Sequence, residues 1–289
     1  MERGLKLPLK VINSVDFPPL LNEIPDAPKQ LYVRGDLPSF SHQWLAVVGS
    51  RSYTNYGEAV VKHLIGGLSG YPVVIVSGLA YGIDALAHRA ALEAGLPTVA
   101  LPGSGRDWDV LYPRANLSLA KEIVEAGCAL VSEFEPAVEA RDYTFPQRNR
   151  IMAGMCRATL VIEAKEKSGS LITAKLAAEY NRDVLVVPGQ IFSETSRGTH
   201  QFLRLGATAI TSDGDLLQAL DLAPREKNLT LRGDLSEEEL LVIEIIANPM
   251  SRDEVLTALD MPVSEGNILL SMMEIKGLIV EELGLVRVR

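Results

Sequence analysis

The chain is poor in the residues that form covalent or metal-bound cross-links. Its 289 residues include two cysteines and four histidines, and Cys128 and Cys156 lie far apart, each inside an apolar segment. We therefore expect two buried thiols in a reducing cytoplasm, not a disulfide. Because cysteine and histidine form no cluster in the sequence, we also expect no metal site.

Long hydrophobic runs are absent as well. No run of about 18 apolar residues occurs, so we expect no membrane-spanning segment and no membrane partner. Residues 1–6 lead into no long apolar stretch with a small-residue cleavage site, so we expect no signal peptide. Two nucleotide-binding fingerprints, G-x-G-x-x-G and G-x-x-x-x-G-K-S/T, are missing too. Their absence argues against the strict dinucleotide-binding and P-loop classes.

The net charge of −9 argues, by itself, against a nucleic-acid partner. Its distribution changes that conclusion. Residues 226–289 carry 6 Lys and Arg against 13 Asp and Glu, a balance of −7, whereas residues 1–225 carry 22 against 24, a balance of −2. The larger part is nearly neutral, and a nearly neutral domain can still carry a local basic groove.

One pattern recurs between Trp44 and about Leu220: a short apolar run, a glycine-containing turn and a helical stretch. The predicted strands are Leu45–Val48, Val73–Ser77, Thr98–Leu101, Ala129–Ser132, Thr159–Glu163, Val184–Val187 and Ala207–Thr211. They are almost uniformly apolar, which is typical of strands buried on both faces. The clearest helical patterns are Ala85–Ala94, Leu117–Glu125, Leu171–Tyr180 and Thr199–Leu205. This alternation predicts an α/β fold with a Rossmann-like, doubly wound, mostly parallel sheet.

The flanking segments differ from this central domain, which we place at 44–220. Residues 1–43 form a Pro-rich, irregular lead with one short edge strand at Leu31–Gly35. Residues 221–235, with Pro224 and Gly233, have the composition of a linker.

Residues 236–289 carry a pattern of their own. It begins with a capping box at Ser236 and Glu239. The predicted helices are Ser236–Ala247, Arg252–Leu259 and Ser264–Lys276, and residues 277–282 and 285–288 are predicted to form a hairpin. Three helices followed by a hairpin predict a small winged-helix C-terminal domain.

Small and polar residues follow nearly every predicted strand of the central domain. The turns are Gly49-Ser50-Arg51, Ser77–Asp84, Pro102–Gly105, Lys167–Thr173 and Pro188-Gly189. The carboxyl ends of parallel strands meet at one edge, where loops expose backbone N–H groups and helix N-termini. A single glycine at such a junction is usually only a turn residue, but five such turns predict a shared anion-binding edge.

Two segments add fixed positive charge to this edge. Arg51 follows the first strand, and a guanidinium suits phosphate because of its rigid donor fork. The segment Phe145–Arg150 joins two arginines, an amide and an aromatic ring, and we interpret it as a cationic loop that follows a single-stranded backbone and stacks a base. We expect Arg51 and Arg148 to project from loops with little contact to the core. The alternative is a helix start with solvated arginines and a core phenylalanine.

Catalytic residues are harder to find. Asp84 and His88 lie four residues apart at a helix start, where a helix cap and a packed histidine fit better than an acid–base pair. No Ser-His-Asp set, carboxylate cluster or nucleophilic cysteine stands out. Glu133 and Glu163, at two strand ends, are the remaining candidates. We therefore expect no catalytic residue and no cofactor.

In their order along the chain, these motifs resemble the bacterial DNA-processing-A (DprA/Smf) family. They are Val48–Arg51, Ser77–Asp84 with His88, Tyr112-Pro113, Ser132-Glu133, Phe145–Arg150, Glu163-Ala164, Ser168–Ser170, Thr173-Ala174, Val187–Gly189 and Gly206-Ala207. The resemblance runs from about Asp16 to Ala219. It implies a homodimer that binds single-stranded DNA, protects incoming DNA and loads the recombinase RecA onto it during natural transformation, without catalytic turnover.

The resemblance also implies which residues contact DNA. They are Gly49, Ser50, Arg51, Ser77, Gly78, Phe145, Arg148, Asn149, Arg150, Ser168, Gly169, Ser170 and Lys175. The chain departs from the family pattern in three places. The segment Gly105–Tyr112 is longer than usual, His200 replaces an asparagine, and the N-terminal helical module of some members has no counterpart.

Two other functions stay open. An enzyme acting on small nucleotides, such as a phosphoribohydrolase of the lysine-decarboxylase-like group, shares this type of sheet. Its Pro-Gly-Gly-x-Gly-Thr motif followed by a glutamate does not occur here. A sequence-specific regulator acting through the winged helix is disfavoured because a tail with a balance of −7 repels phosphate. The sequence therefore favours a binder of single strands.

Overall fold

The computed structural model describes residues 9–223, 235–282 and 284–288. The chain divides into two units, Met1–Ala223 and Pro224–Arg289. Most of the predicted linker, residues 224–234, lies outside the described residues.

In the described part of the larger unit, nine strands form one sheet. They are β1 (Leu9–Asn13), β2 (Gln30–Gly35), β3 (Gln43–Val48), β4 (Val73–Ser77), β5 (Thr98–Ala100), β6 (Ala129–Ser132), β7 (Ala158–Val161), β8 (Asp183–Val186) and β9 (Thr208–Ala209). Their order is β1-β2-β6-β5-β4-β3-β7-β8-β9. Strands β3 to β9 are mutually parallel, and β1 and β2 add an antiparallel pair beside β6.

Helices cover both faces of this sheet. They are α1 (Asn55–Gly67), α2 (Ile83–Glu93), α3 (Leu117–Glu125), α4 (Thr144–Met155), α5 (Ser170–Glu179), α6 (Arg197–Arg204) and α7 (Asp213–Ala219). Along β3, Leu45 and Val47 pack with α1 and α2, whereas Ala46 and Val48 pack with α4 and α5. Because alternate residues enter two different cores, the strand has no polar face. The predicted Rossmann-like α/β fold is confirmed.

Two local predictions were wrong. The strand near Leu31–Gly35 is not at the edge, because β1 pairs with β2 and lies outside it. The segment Phe145–Arg150 is not a loop, because it forms the first half of α4. Helices α1 and α7 are not among the helical patterns identified from the sequence.

The described part of the C-terminal unit consists of three helices and a hairpin. They are α8 (Glu237–Ile245), α9 (Arg252–Ala258), α10 (Val263–Ile275), β10 (Ile279–Glu282) and β11 (Leu285–Val288). The two strands are antiparallel. The predicted capping box of Ser236 and Glu239 starts α8, and a second one, of Ser251 and Glu254, starts α9. A C-terminal domain is therefore present, while its assignment as a winged helix stays a prediction.

The described residues contain neither a disulfide nor a cluster of potential metal ligands. Cys128 and Cys156 are buried and free, as predicted. Among the described residues, no group of histidine, cysteine and carboxylate side chains is placed to hold a metal ion. No helix in the described part of the chain has both the length and the apolar character needed to cross a bilayer.

Candidate nucleic-acid interface

The strand order reverses at β3. From β3, the strands β4, β5 and β6 follow on one side, and β7, β8 and β9 follow on the other. Loops that leave neighbouring strands at such a point diverge and open a crevice at the carboxyl edge of the sheet. A cavity of about 620 Å³ lies there, between the loops after β3 and β7 and the start of α4.

Most of the predicted site residues line this cavity, which we call the switch-point pocket. They are Gly49, Ser50, Arg51, Phe145, Arg148, Asn149, Ser168, Gly169 and Ser170. Lys165 and Lys167 also line it and are not among the site residues predicted from the sequence. Both lie in the same loop as Ser168, and this proximity in the sequence is the signal that identifies them.

The lining of the pocket is positively charged. Arg51, Arg148, Lys165 and Lys167 face only two carboxylates within the lining, those of Asp84 and Asp142. Lys165 is balanced in part by Glu194, at 3.4 Å between Nζ and Oε2. Arg51 and Lys167 form no ion pair with any residue that the structure describes. The pocket is thus cationic although the chain as a whole is acidic.

An aromatic wall stands beside Arg51. The guanidinium of Arg51 lies 5.7 Å from the ring centroid of Phe145, and the ring of Tyr112 meets Phe145 edge-on at 5.9 Å. Tyr112 is 42% exposed. Gly78, together with Arg51, Tyr112 and Phe145, lines a small neighbouring cavity. The arrangement presents a free cation and aromatic surface to the same volume.

Arg148 does not project from a loop, contrary to the prediction. It is 6% exposed, its Nη1 donates to the carbonyl of Leu101, and its Nε donates to Oδ1 of Asn149 at 3.0 Å. The helical backbone of α4 turns this side chain inward, beneath the pocket. Burial lowers the pKa of Arg148 to about 10, and the neighbouring Asp84 opposes that shift. The group therefore stays charged at neutral pH and forms the floor of the pocket.

Asp84 and Gly78 complete this floor. Asp84 accepts a hydrogen bond from the backbone N–H of Gly78 at 3.1 Å and is not the N-cap of α2, which is Gly82. Burial raises the pKa of Asp84, and the charge of Arg148 acts in the opposite direction. A Cβ at position 78 would collide with the guanidinium of Arg148 and the carboxylate of Asp84. Gly78 is therefore required by close packing over a buried charge pair.

Besides Gly78, three predicted site residues lie outside the pocket lining and have other partners. Arg150 donates to both carboxylate oxygens of Glu133 at 2.5 and 2.6 Å. It lies two residues after Arg148 in α4, and side chains two residues apart on a helix point in different directions. The hydroxyl of Ser77 donates to the carbonyl of Val47 at 2.6 Å inside the sheet. Lys175 is exposed and pairs with Glu179 at 3.7 Å.

The candidate catalytic residues are all engaged in structural contacts. Glu163 accepts from the N–H and hydroxyl of Thr54 at 2.9 and 2.6 Å and from the hydroxyl of Thr195 at 3.1 Å. Glu133 is paired with Arg150. His88 is buried with Nδ1 2.7 Å from Oγ1 of Thr98, and burial lowers its pKa to about 3. The predicted packed histidine is confirmed for His88.

Comparison with known proteins gives a consistent result. The family model described as DNA recombination-mediator protein A matches residues 9–221. The DNA processing protein DprA of Streptococcus pneumoniae is 44% identical over 201 residues, which are 70% of this chain and 70% of that protein. Protein Smf of Escherichia coli is 38% identical over 237 residues, 80% of this chain but 63% of the relative's own length.

Solved structures agree with these sequence matches. The crystal structure of the S. pneumoniae DprA superposes with a TM-score of 0.67 at 41% identity, covering 74% of each chain. The DprA of Helicobacter pylori, solved to explain its single-stranded-DNA-binding mode, superposes with a TM-score of 0.66 at 28% identity, covering 75% of this chain and 99% of the other. Family model, relatives and fold all coincide, and the chain belongs to the DNA recombination-mediator protein A family, DprA/Smf.

Proposed function

We propose that this chain binds single-stranded DNA in the switch-point pocket and acts in recombination as a mediator, by binding and not by catalysis. The observation that carries the proposal is the coincidence of unpaired cations and aromatic surface in one pocket. This is the combination with which proteins hold a single strand without reading its sequence.

The phosphate-binding elements come from two loops. Arg51 supplies a guanidinium fork from the loop after β3, and Lys167 supplies an ammonium from the loop after β7. Helix α5 begins at Ser170 beside the pocket, and its first N–H groups already have partners within the loop: Ser170 donates to Oγ of Ser168 at 3.4 Å, and Leu171 and Ile172 donate to the carbonyls of Ser168 and Gly169. A phosphate near this terminus would interact favourably with the positive end of the helix dipole.

The base-binding element is the aromatic wall. Phe145 is held in place by Tyr112 on one edge and lies against Gly103, where a Cβ would collide with its ring. A base unstacked from its neighbours can lie on such a surface. Arg51 close to the ring then places a phosphate contact and a stacking contact within one nucleotide.

Family membership supports three further parts of the proposal. We infer that the bound strand is protected from degradation, that the protein delivers it to RecA, as in natural transformation, and that the working form is a cytoplasmic homodimer. An enzymatic role finds less support, because Glu133, Glu163 and His88 are occupied by the contacts described above.

The proposal is tested by titrating a labelled oligonucleotide with wild-type protein and with Arg51→Ala at two salt concentrations. We expect Arg51→Ala to weaken binding irrespective of base sequence, because phosphate contacts position a strand without reading it. The slope of log affinity against log salt should become shallower by about 0.7 for the lost contact.

Arg204→Ala is the matched control. It removes the same charge from the exposed C-terminal end of α6, and a crossover helix ends at the edge opposite to the carboxyl ends of the strands. Unchanged affinity and slope in Arg51→Ala, with the fold intact, would contradict the proposed site. An equal loss in Arg204→Ala would show non-specific attraction to charge.

A further inference from the structure

A tight turn after β8 carries two large apolar side chains at its tip. The N–H of Ser193 donates to the carbonyl of Gln190 at 3.0 Å, which makes Ile191 and Phe192 the central residues of the turn. Central turn positions usually hold Gly, Pro, Asn, Asp or Ser. Here Ile191 is 75% exposed and Phe192 is 90% exposed. The turn therefore displays apolar surface where sequence preference favours polar or small residues.

This turn is firmly attached at its base. The N–H of Ala164 donates to the carbonyl of Thr195 at 2.7 Å, and the buried Thr195 hydroxyl donates to Glu163 at 3.1 Å. On the other side, the hydroxyl of Tyr56 donates to the carbonyl of Pro188 at 2.9 Å. Because one end is bonded to the loop after β7 and the other to the first turn of α1, the tip is held at a defined place on the carboxyl edge.

The tip lies next to the switch-point pocket. Lys165 lines that pocket and pairs with Glu194, two residues after Phe192. Strand β8 neighbours β7, and adjacent strands are about 4.8 Å apart. The turn therefore stands one strand beyond the pocket. Tyr112 and Phe145 stand on the opposite side, beyond Arg51.

We propose that Ile191 and Phe192 form a platform on which a single strand leaving the pocket stacks a base. This inference rests on the proposed function and extends the bound track from the aromatic wall across β3 and β7 to β8. Over this distance, β5 to β8, the sheet spans about 19 Å. Lys167 and Arg197, which form no ion pair with any described residue, flank the same stretch and suit the intervening phosphates.

A nucleotide base fits this surface better than a protein does. A stable protein interface buries roughly 1,200–2,000 Å² in total, far more than two side chains at a turn tip offer. One aromatic ring, in contrast, is enough to stack one base, and stacking tolerates any sequence.

The test measures the affinity of full-length wild type and Phe192→Ala for oligothymidylates of about 4 and about 12 nucleotides, lengths that bracket a single site. We expect Phe192→Ala to bind the longer strand about tenfold more weakly and the shorter strand, which fills only the pocket, as wild type does. Ile275→Ala, an apolar truncation at an 87% exposed position of the C-terminal unit, is the control and should change neither value.

A second variant reports stacking directly. Phe192→Trp should restore affinity for the longer strand, and the emission it adds to that of Trp44 and Trp108 in wild type should be quenched by that strand and not by the shorter one. An equal affinity of wild type and Phe192→Ala for the longer strand, or an unquenched Phe192→Trp, would overturn the inference.

Two more outcomes separate this inference from the proposed function. Arg51→Ala should weaken binding of both lengths, so a loss with Arg51→Ala but none with Phe192→Ala leaves the pocket proposal standing and removes the platform. If sedimentation shows that Phe192→Ala changes the oligomeric state, the turn is a contact between copies, and the platform assignment is wrong. If wild type binds neither strand, both proposals fall.

Discussion

The two units of the chain use their cations in opposite ways. In the described part of the C-terminal unit, every lysine and arginine is paired: Arg252 with Glu274 and Glu281, Lys276 with Glu239, and Arg287 with Glu282. In the larger unit, Arg51 and Lys167 face the switch-point pocket without an ion pair among the described residues. Phosphate binding depends on unpaired cations that lie close together, so the net charge of a unit does not decide whether it binds phosphate.

The C-terminal unit also has little positive charge on the helix that could contact DNA. Helix α10 would be the DNA-reading helix if the C-terminal unit were a typical winged helix, and its sequence contains no lysine or arginine. It exposes Ile268, Met272 and Ile275, which lie on one face at a spacing of four and three residues. Reading helices in a major groove present polar and basic side chains. The surface of α10 does not suit a nucleic acid.

The largest expected effect concerns the buried cation of the larger unit. We expect Arg148→Ala to lower the free energy of unfolding of that unit by about 3–5 kcal/mol, because it removes the buried cation that contributes most to stabilising the charged form of the buried Asp84. This replaces the expectation from the sequence that the Arg148 side chain projects from a loop with little contact to the core. Both tryptophans, Trp44 and Trp108, lie in the larger unit, so tryptophan fluorescence during urea unfolding measures this change without a signal from the tail.

Arg51→Ala serves as the matched control for stability, since its side chain is exposed and should change the free energy of unfolding by less than about 0.5 kcal/mol. Equal stability of Arg148→Ala and wild type would mean that Arg148 is solvated and would restore the projecting side chain of the sequence-based prediction.

An intermediate effect is expected from pH. The pKa of His88 is about 3 in the folded protein, against 6.5 ordinarily, because the side chain is buried and Arg148 adds repulsion. The unfolded state therefore takes up this proton first as the pH falls. The stability from keeping His88 neutral is fully present above about pH 6.5 and declines below it by about 1.4 kcal/mol per pH unit.

This pH dependence should be confined to the larger unit between about pH 6.5 and 5. All four histidines precede residue 224. In the tail, hydrogen bonds from Lys276 and Ser251 hold the pKa values of Glu239 and Glu254 below 4.5, so their contribution is lost only at lower pH. Urea titrations at about pH 7, 6 and 5 should show a shallower decline for His88→Gln than for wild type. Equal declines would exclude His88 as the source.

The smallest expected effect is that of removing the tail. A chain of residues 1–225 should bind single strands as tightly as the full chain or slightly more tightly, most visibly at low salt, where repulsion by the acidic tail is screened least. Affinity of the two chains measured side by side decides this point. A tenfold loss in a truncated protein with normal tryptophan fluorescence would show that the C-terminal unit binds DNA directly, and the contrast between the two units would then be wrong.

Much of the sheet was predictable because buried parallel strands have a simple signature. The predicted Val73–Ser77 and Ala129–Ser132 coincide with β4 and β6, and helix α3 has the predicted bounds. Helix α4, which the sequence suggests only as the alternative to a loop, is hard to predict for a physical reason. It buries Arg148 and Asn149 beneath the pocket, so its apolar residues do not recur with a helical period, and Pro146 is tolerated because it lies in the first turn.

The site was predictable in part. Arg51 and Ser168–Ser170 lie at the pocket because strand ends and their loops can be recognised locally. The pairing of Arg150 with Glu133, 17 residues away, depends on how α4 packs, and no local pattern contains that information. No local pattern shows that Arg148 is buried either, because its burial depends on the direction in which it projects from the axis of α4.

Glu163 shows how this pocket is kept in shape before any strand arrives. Its single carboxylate holds Thr54, in the loop after β3, and Thr195, in the loop after β8, while it belongs itself to the loop after β7. The conformational entropy of these three loops is lost when the chain folds. A binding partner that enters the pocket therefore does not have to order these loops. A larger part of the free energy of its contacts then contributes to affinity.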